Sequence, residues 1–503
     1  MPLCSSFFVM HVALVSGECL SDGRVCLEDE RMLLLQLKST LKFNAAASNK
    51  LVSWSRSADC CSWGGVTWDA TGHIVSLDLS SEFISGEFNS SSSIFRLQYL
   101  QSLNLANTTF YYSQIPSGFG KLGRLIYLNL SSAGFSGQIP IEISRLTKLV
   151  TIDFSMFYFP GDPTLKLEKP NLRMLVQNLT ELRELYLNGV NISAQGKEWC
   201  QALSFSVPNL RVLSLSWCFL SGPIDSSLVK LRFLSVIHLN YNNFTAPVPD
   251  FLANFSNLTS LRLSFCGLYG TFPENIFQAP TLQILGLSNN QLLWGALPEF
   301  PQGGSLRTLV LSDTKFSGHM PDSIGKLEML SWIELARCNF SGPIPSSIAN
   351  LTRLLYLDLS SNGFTGSIPS FRSSKNLTHI NLSRNYFTGQ IISHHWEVLL
   401  NLVNLDLHHN LLHGGLQLSL FSRPSLQNIW LSNNQFSGQL NEFSAVSYVL
   451  EALDLGSNNL QGPIPMSVFD LRGLHILELS FNKLNGTLEL SKFQKLEKLT
   501  TPS

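Results

Sequence analysis

Residues Asn376–Ile391 read NLTHINLSRNYFTGQI. Leu377, Ile380 and Leu382 are apolar, whereas His379, Asn381, Ser383 and Arg384 are polar. Alternation with a period of two predicts that Ile380–Leu382 is a short strand with one buried face. Asn385 then turns inward, where its amide can both donate to and accept from backbone groups of adjoining turns. Phe387 is expected to pack beneath it, and Gly389 to permit the bend.

The same pattern recurs outward in both directions. Its third apolar position falls at Leu79, Leu105, Leu130, Phe154, Leu187, Leu215, Leu239, Leu263, Leu287, Leu311, Leu335, Leu359, Leu382, Leu407, Leu431, Leu455 and Leu479. A spacing of mostly 24 residues lies in the leucine-rich-repeat range, and chance does not hold such a period over this length. The expected fold is therefore an α/β repeat, a right-handed solenoid whose short parallel strands stack into one concave sheet. Proline in the Gly-x-Ile-Pro segments (Gly137–Pro140, Gly342–Pro345, Gly366–Pro369, Gly462–Pro465) favours an extended return on the far side. About 17 repeats are expected over 74–495, with 496–503 beginning another. On that reading the last repeat leaves Leu474, Leu477 and Leu479 on an unpaired edge.

Composition narrows the function. Hydrophobic residues make up 44% and charged residues 14% of the 503, with a formal net charge of -1. That is too apolar for a disordered chain and too lightly charged for a nucleic-acid binder. No kinase, hydrolase or nuclease signature occurs, so no catalytic residue, cofactor or metal site is assigned. Gly118-Phe119-Gly120-Lys121-Leu122-Gly123 matches the dinucleotide fingerprint in letters, but it follows Ile115-Pro116 on the outer part of a repeat and reads as a solenoid turn. His379, His394, His395, His408, His409 and His413 read as surface histidines, because no ligand spacing completes a metal set.

Residues 1–17 read as a signal peptide, with an apolar run from Leu3 to Val15 ahead of Ser16 and Gly17, although no basic residue precedes it. Thirteen Asn-x-Ser/Thr sequons fit a secreted route. Asn89, Asn254 and Asn350 sit in connecting segments and are the expected glycan acceptors, whereas Asn129 and Asn381 fall on strands. Cys218, Cys266 and Cys338 occupy the inward asparagine position and read as buried thiols, with a Cys200–Cys218 bridge as an alternative.

The form Leu-Ser-x-Asn-x-Phe-Ser-Gly-x-Ile-Pro resembles the plant-specific class of leucine-rich repeats. Cys26–Leu41 (CLEDERMLLLQLKSTL), Leu51–Trp68 (LVSWSRSADCCSWGGVTW), Ile139–Val150, Leu175–Leu187 and Lys197–Leu203 (KEWCQAL) resemble plant receptor-like proteins of the fungal-wilt-resistance type. The resemblance covers essentially the whole mature chain. It implies a cysteine-containing helical cap over 18–73 with a Cys26–Cys60 disulfide. It also implies an ectodomain that recognises pathogen- or self-derived signals and acts through receptor-like kinase co-receptors at the plasma membrane, ahead of further repeats and a transmembrane helix. Trp68 stands where the family has the second cysteine of its pair, so Cys61 is left either to Cys19 or as a thiol. A secreted inhibitor or decoy of microbial cell-wall-degrading enzymes is the alternative, and a truncated product without independent function a third.

The register also assigns a recognition surface. Trp217, Tyr241 and Phe265 occupy equivalent outward places just after three consecutive strands. Trp332, Tyr356 and His379 form a second trio one column over, and Trp430 lies in the middle column with Glu334, Asp358 and Asp406. Large aromatics with few rotatable bonds are favoured at interface centres, and the acidic stripe suits a basic group on a peptide, protein or oligosaccharide ligand.

Overall fold

The computed structural model describes residues 26–85, 88–110, 112–392, 396–416, 420–421, 423–443, 449–487 and 490–502. The signal-peptide residues, Cys4, Cys19, His394 and His395 lie outside them. The chain forms two units, one of Met1–Ser193 with Ala202–Leu210, the other of Ala194–Gln201 with Arg211–Ser503. Every one of the seventeen repeat positions named above is buried.

In the first unit, the helix Glu28–Thr40 opens on Glu28, Asp29 and Glu30, which favour its positive end, and it buries Leu33, Leu34 and Leu37. The Cys26–Cys60 disulfide is formed. Ser93 Oγ donates to Leu33 O at 2.8 Å, tying the helix to the first repeat. Trp68 is buried, and its Nε1 donates to Cys60 O at 3.1 Å, so the indole fills the place where the family pattern has a thiol. Buried Glu82 accepts from Ser48 Oγ and from the backbone N–H groups of Asn49, Lys50 and Leu51, and these bonds outweigh burial and hold its carboxyl below the usual range. After the antiparallel pair Val66–Trp68 and Ile74–Asp78, the strands Ser102–Asn104, Tyr127–Asn129, Thr151–Asp153 and Glu184–Tyr186 stack in parallel. The 159–170 segment is partly drawn to the return side, because Leu165–Lys166 pairs with Gly137–Gln138.

The second unit repeats one device. Strands of three residues, from Val212–Ser214 through Ile476–Glu478, pair in parallel and in register with the next turn. Burying one leucine per strand contributes roughly 1.5–3 kcal/mol. The strands are short because the second residue after the inward leucine takes a left-handed conformation, as at Asn289, Asp313, Arg337 and Arg384. That conformation costs on the order of 1 kcal/mol for an L-residue. It is offset by a backbone bond to the next turn, such as Arg337 N–H to Ser360 O at 2.9 Å. The bend delivers the next side chain inward. Asn385 there donates to Leu359 O at 3.0 Å and Leu382 O at 3.2 Å, and its Oδ1 accepts from Phe364 N–H at 3.0 Å. Phe340, Phe364 and Phe387 stack below at 6.1 Å spacing. The return segments are extended as expected and also pair, in a second parallel ladder from Tyr269–Thr271 to Lys483–Leu484.

Two expectations are corrected here. Leu474, Leu477 and Leu479 are buried, because the turn Leu490–Lys495 and the strand Thr501–Pro502 continue the ladder beyond Ile476–Glu478. Cys200 and Cys218 are buried cysteines outside the disulfide, so the alternative bridge is not formed. Cys266 Sγ and Cys338 Sγ sit 3.1 and 3.2 Å from Leu239 O and Leu311 O, the kind of carbonyl an asparagine amide serves in other turns.

Candidate ligand-recognition surface

The proposed aromatic residues all lie in the second unit, and the fold brings each trio together. Trp217, Tyr241 and Phe265 stand at the left-handed position, with φ of 59°, 57° and 57°. Each N–H there reaches the next turn, for example Tyr241 to Ser264 O at 2.9 Å. The rings stack at 4.3 and 4.4 Å with interplanar angles of 12°. They remain 39%, 39% and 42% exposed, so the stack buries ring against ring and leaves a shared apolar edge to solvent.

The second trio begins the strands Trp332–Glu334, Tyr356–Asp358 and His379–Asn381. Trp332 and Tyr356 stack at 4.0 Å and 4°, while His379 is tilted at 5.6 Å from Tyr356. These residues are half-buried. Burial pushes the Tyr356 hydroxyl up to about 12 and holds the His379 imidazole below its usual range.

Glu334 and Asp358 are adjacent in the next outward column, followed after Asn381 by Asp406, Trp430 and Asp454. Burial raises the carboxyls of both Glu334 and Asp358, and their mutual repulsion adds to the rise at Glu334. The stripe also has internal partners. Asp406 Oδ1 is 2.6 Å from His408 Nδ1, Asp454 Oδ2 accepts from Ser432 Oγ at 2.6 Å, and Asp358 Oδ1 accepts from Ser360 N–H at 2.9 Å. Arg337 lies beside the column but spends both Nε and Nη2 on Asp313, at 2.6 Å each.

The sequence reading missed two things on this face. It placed the first trio outward just after the strands but did not foresee its left-handed backbone, which has no signal in residue type at Trp, Tyr and Phe. It also passed over His238 and Arg262, which precede the acidic stripe in the same column. Gly118 lies in the short turn Ser117–Lys121, where an added Cβ would fall 2.5 Å from the Phe95 ring, so glycine there serves packing. Cys26, Asp59 and Cys60 are the one metal-sized group among the described residues, and its two sulfurs are the disulfide pair. Asn89, Asn254 and Asn350 are exposed, whereas Asn129 and Asn381 are half-buried in strands and hydrogen-bonded.

The model of the leucine rich repeat N-terminal domain matches residues 27–67. The leucine rich repeat model matches 209–231, 257–279, 305–327, 329–351, 353–373 and 376–396, segments that include every residue of the two aromatic trios except Tyr241. The chain is a leucine-rich-repeat protein. This leucine-rich-repeat protein is homologous to plant receptor-like proteins. It is 32% identical over 326 residues to Receptor-like protein 6 of Arabidopsis thaliana, covering 62% of this chain and 28% of that one. It is 32% identical over 341 residues to Receptor-like protein Cf-9 of Solanum pimpinellifolium (64% and 32%), and 33% identical over 294 residues to Receptor-like protein EIX1 of Solanum lycopersicum (54% and 27%). The aligned region thus spans about a third of those relatives' length. Among solved structures, it is similar to the Arabidopsis receptor kinase HAESA in complex with the peptide hormone IDA and the co-receptor SERK1, at 27% identity, TM-score 0.59 and coverage of 94% and 93%. A TDR receptor matches at 28% identity, TM-score 0.71 and coverage of 82% and 69%. Among the described residues, no helix is long and apolar enough to cross a membrane.

Proposed function

We propose that this chain is the extracellular ligand-recognition part of a plant cell-surface immune receptor-like protein, which binds an elicitor on the outward face of its strand ladder and acts through partner receptor kinases. Recognition rather than catalysis is its task. The observation that carries the reading is the exposed stack of Trp217, Tyr241 and Phe265, which contributes no side chain to the buried interior. Rigid, amphipathic, part-exposed rings are the residues that anchor interfaces. Both faces of Tyr241 are covered by its neighbours, at 4.3 and 4.4 Å. A sugar ring would stack on an open face. The exposed edges suit instead the side chains of a peptide or protein segment. The receptors of known structure give the reading a precedent, since HAESA is seen with a peptide hormone and a co-receptor. Secretion is proposed by the leader at residues 1–17, with glycans at Asn89, Asn254 and Asn350. The cell-surface placement belongs to a longer form with a transmembrane helix; without one, the chain would be released to the apoplast.

The secreted chain should retain peptides from fractionated pathogen culture filtrate. Their rebinding should fall roughly 30-fold or more when Trp217, Tyr241 and Phe265 are all changed to alanine, the scale of a lost interface centre. Equal rebinding by the triple variant, with its ladder intact by circular dichroism, would sink the proposal.

A further inference from the structure

Residues 88–150 carry five cations, Arg96, Lys121, Arg124, Arg145 and Lys148, against the single carboxylate Glu142, although the whole chain balances 34 cations with 35 acids. All of them lie in the first unit. The repeat sets where they stand. Arg96, Lys121 and Arg145 each end a short turn, Ser93–Arg96, Ser117–Lys121 and Ile141–Arg145, immediately before buried Leu97, Leu122 and Leu146. Arg124 and Lys148 follow, immediately before buried Leu125 and Leu149. The same backbone bond closes each bend: Leu97, Leu122 and Leu146 N–H donate to Ile94, Phe119 and Ile143 O at 3.1, 2.9 and 3.1 Å. The three short turns pack one on the next, so equivalent places form two columns of positive charge ahead of the strands.

All five side chains are exposed, and no hydrogen bond or ion pair ties those of Arg96, Lys121, Arg145 and Lys148 to a described residue. Surfaces ordinarily intersperse both signs; a strip of one sign repels itself and concentrates anions. This strip has two ends. In the turn after Lys148 the equivalent places hold Asn178 and Glu181. At the other end Arg96 borders a groove of about 600 Å³ on the cap helix, lined also by Arg56, Asp29, Met32, Gln36 and Ser39.

The spacing selects among polyanions. Successive turns advance by roughly 5 Å. A chain of acidic sugars offers one anion per ring, and each ring advances that chain by a comparable length. Single-stranded nucleic acid needs open aromatic faces on which to stack its bases. Tyr99, which precedes Arg124 in its column, is already stacked on His73 at 3.5 Å and lies under the Arg124 guanidinium at 4.3 Å. A lipid surface is broad, whereas this strip is two residues wide, with Glu142 in the turn of Arg145 and Glu181 at its end.

We propose that Arg96, Lys121, Arg124, Arg145 and Lys148 bind a linear acidic polysaccharide, one anionic sugar to a turn, on a surface outside the unit that carries the aromatic stacks. The anion has two sources, a uronate carboxylate or a sulfate ester.

The full secreted chain is titrated with a linear oligouronate, with its fully methyl-esterified form and with dextran sulfate of similar length. Binding of the oligouronate but not of its ester assigns a carboxylate, and binding of dextran sulfate alone assigns a sulfate. Either should weaken with added salt. Lys121→Gln, Arg145→Gln and Lys148→Gln together should weaken the bound polysaccharide roughly 3- to 100-fold, the combined scale of three exposed ion pairs. Lys326→Gln, Arg353→Gln and Arg372→Gln remove the same charge from exposed places in the second unit and should leave binding unchanged. Neither variant should move the unfolding temperature, since every substituted side chain is exposed. Equal losses in the two variants, binding of the ester as tight as that of the acid, or no binding of either anionic polysaccharide would overturn the assignment. Tighter binding of single-stranded DNA or of phosphatidylserine vesicles than of either polysaccharide would overturn it too.

Discussion

Two stretches of the same ladder solve the inward position differently. From Asn362 onward it is asparagine in six successive turns, Asn362, Asn385, Asn410, Asn434, Asn458 and Asn482. Upstream, the sequence of inward residues is Cys218, Asn242, Cys266, Asn290, Thr314 and Cys338. An asparagine amide both donates and accepts: Asn410 Nδ2 donates to Leu382 O and Leu407 O at 3.0 Å each, while Oδ1 accepts from Phe387 N–H at 3.1 Å. A thiol donates weakly, and Phe244 N–H turns instead to the backbone carbonyl of Cys266, at 3.0 Å. The outward face differs as well. The change on the outward face falls one turn earlier: the turns of Cys218 to Cys266 present the exposed rings and Arg262, and the strands from Trp332–Glu334 onward present half-buried rings and carboxylates. The lesson is that the inward and outward columns are separable: one holds the turns together, and the other is free to carry recognition.

The largest effect should come from the inward column. Asn410→Ala leaves three or more buried backbone groups without partners, at roughly 1–3 kcal/mol each. We expect a loss of about 3–5 kcal/mol in local stability, read as faster hydrogen exchange across the turns around Asn410. Cys266→Ala should cost about 1 kcal/mol, because one weak donor is lost. Equal costs would erase the distinction between the stretches. Next in size is binding. Tyr241→Ala should weaken a retained peptide by about 1–3 kcal/mol with little change in unfolding temperature, since the ring lies outside the core. Tyr356→Ala should do the reverse in part, lowering stability by about 1–2 kcal/mol as its half-buried ring leaves Trp332. If the two tyrosines behaved alike in both assays, exposure would not separate recognition from packing.

The smallest effect is a pH dependence confined to the acidic stretch. Burial raises the folded-state pKa of Glu334 and Asp358, so their ionised forms weigh against folding. The sign follows: each reduces stability as pH climbs from the ordinary carboxylate range through its raised folded value, and relieves it on acidification. Glu334→Gln should therefore raise the unfolding temperature slightly at neutral pH, and that gain should vanish below the ordinary carboxylate range. A gain independent of pH would mean that shape, not charge, is responsible.

Much of this was legible in residue order. The seventeen repeat positions, the inward asparagines, the phenylalanine beneath them and the Cys26–Cys60 bond all follow from spacing or from family likeness, and all stand in the structure. Three things did not follow. The closing of the edge over Leu474, Leu477 and Leu479 depends on whether residues 490–502 complete enough of a turn to pair, which leucine spacing does not state. Trp68 reads as a lost cysteine until its indole is seen bonded to Cys60. The acidic stripe reads as uniform charge until burial and the partners of Asp358, Asp406 and Asp454 are known.

A period near 24 is a statement about the chain's own length scale: each turn must return one leucine to the same line, so the solenoid and its columns were already determined by the order of residues. Which rings touch, whether Arg262 finds a partner, and how far a carboxylate is desolvated were decided only by tertiary structure. Each depends on atoms one turn away in space and some two dozen residues away in sequence, and dielectric and distance are properties of that arrangement rather than of any residue type.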